Sequence, residues 1–234
     1  MKKMTSLLSA SLLILGLSSA NAAVTSYSSQ TDFLTDLGAA NLTTYDFDSM
    51  TSGDIISSGS TIDGATFTYN LPSLPGNPNP EIMVDDYWDT TSPDNYLGTD
   101  DGSGAFVGGD SFTISFDQTI HAIGMYLISA DEILDGDFTI TTDMGQSVSN
   151  FGLFDLQLSD GDAYYLGLIE DDFSLGFTSI TLTSYQDDYL FNVDDITVSA
   201  VPEPSTLLLF GVGLLGVIGM SRRKARQSIT VQTA

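Results

Sequence analysis

The chain has 234 residues, with 31 Asp and Glu against six Lys and Arg, a formal net charge of −25 and no cysteine. All six bases (Lys2, Lys3, Arg222, Arg223, Lys224 and Arg226) lie outside residues 24–200, a stretch that holds 30 carboxylates, every acid except Glu203. Such a segment cannot neutralise phosphates, which excludes nucleic-acid binding, and it has no disulfide framework, yet it is long and aromatic enough to fold around one core.

Residues 1–22 open with Lys2-Lys3, continue as an apolar run to Leu17 and end on Ala20-Asn21-Ala22. This is the layout of a secretory signal peptide, with the small residues Ala20 and Ala22 marking the cut by signal peptidase before Ala23. Next, Ser29 to Gly38 pairs a cap-like serine with apolar Phe33, Leu34 and Leu37 and a terminating glycine, which predicts one short helix.

From there the pattern changes to short β-branched and aromatic runs separated by Asp/Gly turns. The predicted strands are Thr43–Phe47, Ala65–Leu71, Ser111–Phe116, His121–Ser129, Phe138–Thr142, Ser147–Phe151, Ala163–Ile169, Thr178–Ser184 and Leu190–Ala200. Hairpins are expected around Asp117-Gln118 and around Asp143-Met144-Gly145. Spacing and alternation indicate that residues 23–200 form an all-β, antiparallel sandwich with one short N-terminal helix.

Several residues in this domain invite a chemical reading. The stretch VDDYWDTTSPDNYLGTDDGSG sets Tyr87, the only tryptophan (Trp88) and Tyr96 in a predicted loop among carboxylates. Flat aromatics beside hydrogen-bonding acids suit a glycan; the alternative is that Trp88 folds back over an open end of the sandwich. Of the 30 acids, 27 are Asp, which favours turns and also supplies hard oxygen ligands for Ca²⁺. Aspartate pairs occur at Asp85-Asp86, Asp100-Asp101, Asp171-Asp172, Asp187-Asp188 and Asp194-Asp195, none in an EF-hand pattern. Asp100, Asp101, Asp194 and Asp195 are therefore candidate structural Ca²⁺ ligands, set against the leading reading of solvated turn acids, and no cofactor is required. Gly109-Asp110-Ser111 resembles the nucleophile block of GDSL-type hydrolases, but the only histidine, His121, follows closely, where that family places its histidine late in the chain. With no base for a triad and no Lys or Arg to clamp an oxyanion, no catalytic residue is assigned and no enzyme is expected. Thr139-Ile140-Thr141 and Thr181-Leu182-Thr183 would suit an ice-binding face only if they stacked into a flat array.

The C-terminal segment runs from Val201 to Arg226. Leu207 to Met220 is an apolar run of 14 residues, about 21 Å long as a helix against a bilayer core of about 30 Å. Its flanks decide the matter: Pro202 and Pro204 precede it, and Arg222, Arg223 and Lys224 form a basic membrane stop that stays cytoplasmic. A transmembrane helix is expected at about 206–221, with 227–234 as a cytoplasmic tail. Gly211, Gly213 and Gly216 fit a dinucleotide fingerprint but lack the strand that must precede it.

The order Pro202-Glu203-Pro204, glycine-containing apolar run, Arg222-Arg223-Lys224 resembles the PEP-CTERM sorting signal of Gram-negative bacteria, a segment also labelled the ice-binding protein C-terminal domain. The resemblance covers residues 201–226 and implies an exported protein held at the inner membrane, then recognised by an exosortase and processed near Pro202-Glu203-Pro204. It further implies a place at the cell surface or in the extracellular matrix, with a structural or adhesive role in exopolysaccharide or biofilm. The runs FDQTIHAIGMYL, YYLGLIEDDFSLGFTSITLTS and FNVDDITVS are similar to those of jelly-roll domains in PEP-CTERM surface proteins, so the sandwich is expected to be jelly-roll-like. The alternative functions are a lectin-like carbohydrate-binding module using the Trp88 loop and, third, a secreted hydrolase.

Overall fold

The computed structural model describes residues 23–38, 41–73, 77–172, 175–185 and 189–201. The signal-peptide span with Ala20 and Ala22, the sorting residues Pro202, Glu203 and Pro204, the expected helix at 206–221, the bases Arg222, Arg223 and Lys224, and Asp187-Asp188 lie outside these residues. Among the described residues no helix is long and apolar enough to cross a membrane.

The first part of the chain forms β1 (Val24–Tyr27), α1 (Gln30–Leu37), β2 (Leu42–Tyr45), β3 (Ile55–Ile56), β4 (Ser60–Ile62), β5 (Ala65–Tyr69), β6 (Ile82–Asp85), β7 (Tyr96–Thr99) and β8 (Phe106–Val107). The second part supplies β9 (Ser111–Ser129), β10 (Asp135–Thr142), β11 (Ser147–Phe151), β12 (Leu156–Gln157), β13 (Asp162–Glu170), β14 (Phe177–Ser184) and β15 (Leu190–Ala200). Every pairing is antiparallel. The expected helix is present: Ser29 precedes it in an extended conformation, and Gly38, at φ 65°, donates its amide to the Leu34 carbonyl at 3.1 Å. Ser29 serves as the cap position without a side-chain capping bond.

One expectation is overturned. There is no hairpin at Asp117-Gln118; Ser111–Ser129 is one strand of 19 residues that passes from one half of the sandwich to the other. Its first part, to Phe116, pairs with β14 and β5, and its second, from Ile120, pairs with β13 and β15. Asp117, Gln118 and Thr119 are exposed at the crossing point. The apolar runs on either side pair with different strands, so the polar residues between them mark a change of partner rather than a reversal. The second expected hairpin is present, with Thr141 opposite Ser147.

The two halves share one core. Phe67, Phe112, Ile114, Phe138, Ile140 and Leu182 on one side meet Ile123, Met125, Leu127, Leu166, Leu168 and Val193 on the other, and each full burial contributes about 1.5–3 kcal/mol. The opposite face of β9 and β13, with Ala122, Tyr126, Ile128, Ala163, Tyr165 and Ile169, is covered by Phe33 and Leu37 of α1. Burial on both faces explains why HAIGMYLIS reads as a near-continuous apolar run instead of alternating.

The outer face of the other half does alternate, and its outward positions are hydroxyls. Across the ladder Ser147 faces Thr141, Thr141 faces Thr181, Thr181 faces Thr113, and Thr113 faces Thr68. A second row joins Ser149, Thr139, Thr183 and Ser111, and a third joins Ser179, Ser115, Thr66 and Thr61. Hydroxyl pairs form at Thr113–Thr181 (2.8 Å), Thr139–Ser149 (2.9 Å) and Thr61–Thr66 (2.7 Å). The threonine pairs thus stack in register across six strands, and neighbouring strands of a sheet rotate by about 20–25° on average.

Candidate functional site: the Trp88 cleft and the loop that holds it

Two aspartates from opposite ends of the domain hold the loop after Trp88. Asp194 of β15 is fully buried. Its Oδ2 accepts the amides of Thr91 (3.0 Å) and Ser92 (2.9 Å), the Thr91 hydroxyl (2.9 Å) and the Thr90 hydroxyl, while Oδ1 accepts the Asp195 amide at 2.7 Å. Asp48 Oδ1 accepts the Ser92 hydroxyl (3.1 Å) and the amides of Asp94 (3.0 Å) and Asn95 (2.9 Å). The run Thr90-Thr91-Ser92-Pro93-Asp94-Asn95 is rich in short hydroxyl and amide residues, so it offers many donors in one tight turn. Burial raises the Asp194 pKa against the opposing pull of the Thr90 and Ser92 donors. Asp195, at φ 50°, is pushed up to about 6, first by burial and then by the charge of Asp194, with Asp46 and Asp48 adding to it.

Upstream of this anchored turn, Trp88 is 36 % exposed and pinned at two points. Its backbone amide donates to the Tyr96 hydroxyl at 3.3 Å, and its indole N–H donates to the Ser103 carbonyl at 3.2 Å. The Tyr87 ring, 73 % exposed, stands edge-on to it at 4.7 Å between centroids. Trp88 walls a cleft of about 80 Å³ whose other apolar surfaces are Ala105, Ile128, Leu190 and Phe191. Asp89, Asp131 and Asp160 also line the cleft, and Ser129 and Asn192 are buried polar residues of its lining.

Two of these aspartates, Asp89 and Asp131, have a structural partner on one carboxylate oxygen and leave the other vacant. Asp89 Oδ2 accepts the amides of Ser159 (2.6 Å) and Asp160 (3.0 Å), which ties the Trp88 segment to the β12–β13 turn. Asp131 Oδ2 accepts the Leu190 amide at 3.1 Å. Ser129 donates its hydroxyl to the Leu190 carbonyl at 2.7 Å. Once its amide is oriented by its neighbours, Asn192 donates to the carbonyls of Gly104 and Phe191 at 3.2 Å each.

The candidates named from sequence fall into separate places. Tyr87 and Trp88 stand together at the cleft, but Tyr96 corrects the expectation of a three-aromatic glycan platform. It is buried in β7, where alternation fails because all four strand residues are covered, and burial raises its hydroxyl pKa. Tyr96, whose hydroxyl accepts the Trp88 amide, positions Trp88 from within the core. Asp100 Oδ1 accepts the Asn77 side-chain amide and the Glu81 backbone amide, both at 2.8 Å. Asp101 Oδ1 accepts the Ser103 hydroxyl (2.6 Å) and amide (2.9 Å), so the two neighbours brace different turns. Among the described residues no group of three or more His, Asp or Glu is arranged to hold a metal ion.

Asp110 is buried, with Oδ2 accepting the Val107 amide at 2.9 Å, and burial raises its pKa. Ser111 and His121 stand ten positions apart on the same strand, at about 3.3 Å per residue, far beyond hydrogen-bond reach. His121 is buried, which lowers its pKa. The sequence reading missed Asp89, Asp131, Asp160, Ser129 and Asn192; their only local signal was proximity to turns, which nearly every aspartate here shares.

None of the curated proteins compared with the chain matches it. Among solved structures, it is similar to the K2 cleaved adhesin domain of Lys-gingipain, with 13 % identity and a TM-score of 0.37, over 68 % of this chain and 97 % of that one. It is also similar to the K1 cleaved adhesin domain of Lys-gingipain from Porphyromonas gingivalis W83, with 9 % identity and a TM-score of 0.25, over 76 % and 98 %. Both scores are too low to carry an argument about this chain. The family model for the PEP-CTERM protein-sorting motif matches residues 200–224. The chain therefore carries a PEP-CTERM protein-sorting motif, which implies an exported protein sorted to the cell surface and processed by a membrane-associated exosortase.

Proposed function

We propose that this is a non-enzymatic surface or matrix protein with a structural or adhesive role in the exopolysaccharide or biofilm of a Gram-negative bacterium. On this reading its sandwich is jelly-roll-like, signal peptidase removes residues 1–22, and a helix at about 206–221 holds the intermediate in the inner membrane. The observation that carries the proposal is the junction at Ala200: β15 ends there, and the sorting motif begins at the same residue. An exosortase cut near Pro202-Glu203-Pro204 would release the folded domain without trimming a strand. The test is to replace those three residues with alanine and follow the protein in cells. The altered chain is expected to stay membrane-bound at its unprocessed mass and to be lost from the matrix; maturation to the wild-type mass would remove the basis of the assignment.

A second reading, carbohydrate binding at Trp88, is favoured by the cleft itself. A pinned indole beside apolar walls and carboxylate acceptors has the chemistry to stack one sugar face and hydrogen-bond its hydroxyls. The third, a secreted hydrolase, has no such support, since Ser111 and His121 do not meet. Binding of any oligosaccharide that quenches or shifts the fluorescence of Trp88 would support the second reading, and a flat response to all of them would remove it.

A further inference from the structure

We propose that the Trp88 cleft selects a protonated amino sugar, a pyranose bearing an ammonium group, over neutral and acidic sugars. This rests on the glycan reading of the same cleft and adds the charge of the ligand to it. Three aspartates line one small cavity, and each has acceptor capacity left. Among the described residues, Oδ1 of Asp89, Oδ1 of Asp131 and the whole Asp160 carboxylate accept no hydrogen bond, while the Oδ2 atoms of the first two are held by backbone amides. The Asp89 and Asp131 carboxylates are thus fixed in place without being used up.

The cation must come from outside. Residues 24–200 contain no Lys or Arg, and the one histidine is buried, which disfavours its charged form. An acidic sugar would be repelled by all three carboxylates, and a neutral one would leave their charge uncompensated. A bare metal ion does not match the apolar walls of Ala105, Ile128, Leu190 and Phe191, whereas a sugar ring does. Trp88 adds to the selection because an indole face attracts an ammonium group as well as a C–H-rich ring face.

The test is titration of the full-length protein in detergent at about 0.15 M NaCl, where the Debye length is about 8 Å and diffuse attraction to a polyanion is damped. Four probes are compared by Trp88 fluorescence and calorimetry: a β-1,4-linked glucosamine trimer, its N-acetylated counterpart, cellotriose and trilysine. The glucosamine trimer is expected to bind about tenfold or more tighter than the other three. Trp88→Ala should abolish that preference, Trp88→Phe should keep most of it, and Asp131→Asn should reduce it. If the N-acetylated trimer or cellotriose binds equally well and depends on Trp88, the cleft is a glycan site but the charge selection is wrong. Equal binding of trilysine, or amine binding that survives Trp88→Ala, means general attraction to an acidic surface and overturns the proposal. If no saccharide binds, both the proposal and the glycan reading fall.

Discussion

The amide of Ser92 donates to Oδ2 of Asp194 at 2.9 Å, joining the loop after Trp88 to the last strand of the domain across 102 positions of sequence. The same carboxylate holds Thr90 and Thr91, so one buried side chain organises the whole turn. Asp194→Ala leaves those donors without an acceptor, at about 1–3 kcal/mol for each group left unsatisfied and buried. The expected result is a melting temperature lower by several degrees, at about 2–4 °C per kcal/mol for a domain of this size. Because Trp88 is the only tryptophan, its emission should shift to longer wavelength in the same variant. An unchanged melting curve and spectrum would show that the loop is held by other contacts.

Tyr165 lies across Gly124 of the neighbouring strand, with its hydroxyl end where a side chain at that position would begin. Among the described residues that hydroxyl has no hydrogen-bond partner, and the ring is wedged against Phe33 and Tyr126. Gly124→Ala is therefore expected to destabilise the domain by about 1–3 kcal/mol through overpacking. Tyr165→Phe should be neutral or stabilising, because it removes a buried polar atom that nothing satisfies. Combined, the two changes should cost less than Gly124→Ala alone. A double-mutant cycle by chemical denaturation measures this, and strict additivity would refute the contact.

The acids predict how stability depends on pH. Asp195 is lifted from 3.8 to about 6, and burial also raises Asp110 and Asp194. A carboxyl with a raised folded pKa binds its proton more tightly in the folded state. Stability therefore increases as pH falls through about 6, and the gain from Asp195 is complete just below 3.8. The melting temperature at pH 5 should exceed that at pH 7.5 at constant ionic strength, and Asp195→Asn should flatten the rise. A fall in melting temperature over that interval contradicts the assignment.

Calcium gives a contrasting expectation at Asp194. Four of the donors aimed at its carboxylate are N–H or O–H groups on one oxygen, an arrangement that a cation would have to displace. Any gain in melting temperature from millimolar Ca²⁺ over matched NaCl should therefore be the same in the wild type and in Asp194→Asn. Loss of a Ca²⁺-specific gain in that variant would make Asp194 a ligand.

What the sequence determined by itself is what depends on neighbours along the chain. The sorting motif is a linear signal, complete within residues 200–224. Helix α1 is encoded by the spacing of Phe33 and Leu37 and stopped by Gly38, and β10, β11 and β14 follow from period-two alternation that puts Thr139 and Thr181 on one side and Ile140 and Leu182 on the other. The tertiary structure decided the matters that turn on which strands meet. Alternation states which face a residue occupies and not what covers it, so Tyr96 reads as a loop residue until the structure buries it in β7. A polar triplet inside an apolar run marks either a reversal or a change of partner strands, and only the partners of β9 settle that Asp117-Gln118-Thr119 is the latter. The cleft, too, belongs to tertiary structure: Asp89, Asp131, Asp160 and Asn192 come from four separate turns and strands. Long-range backbone pairing brings them beside Trp88, and a sequence in which nearly every turn carries an aspartate cannot mark which ones will meet.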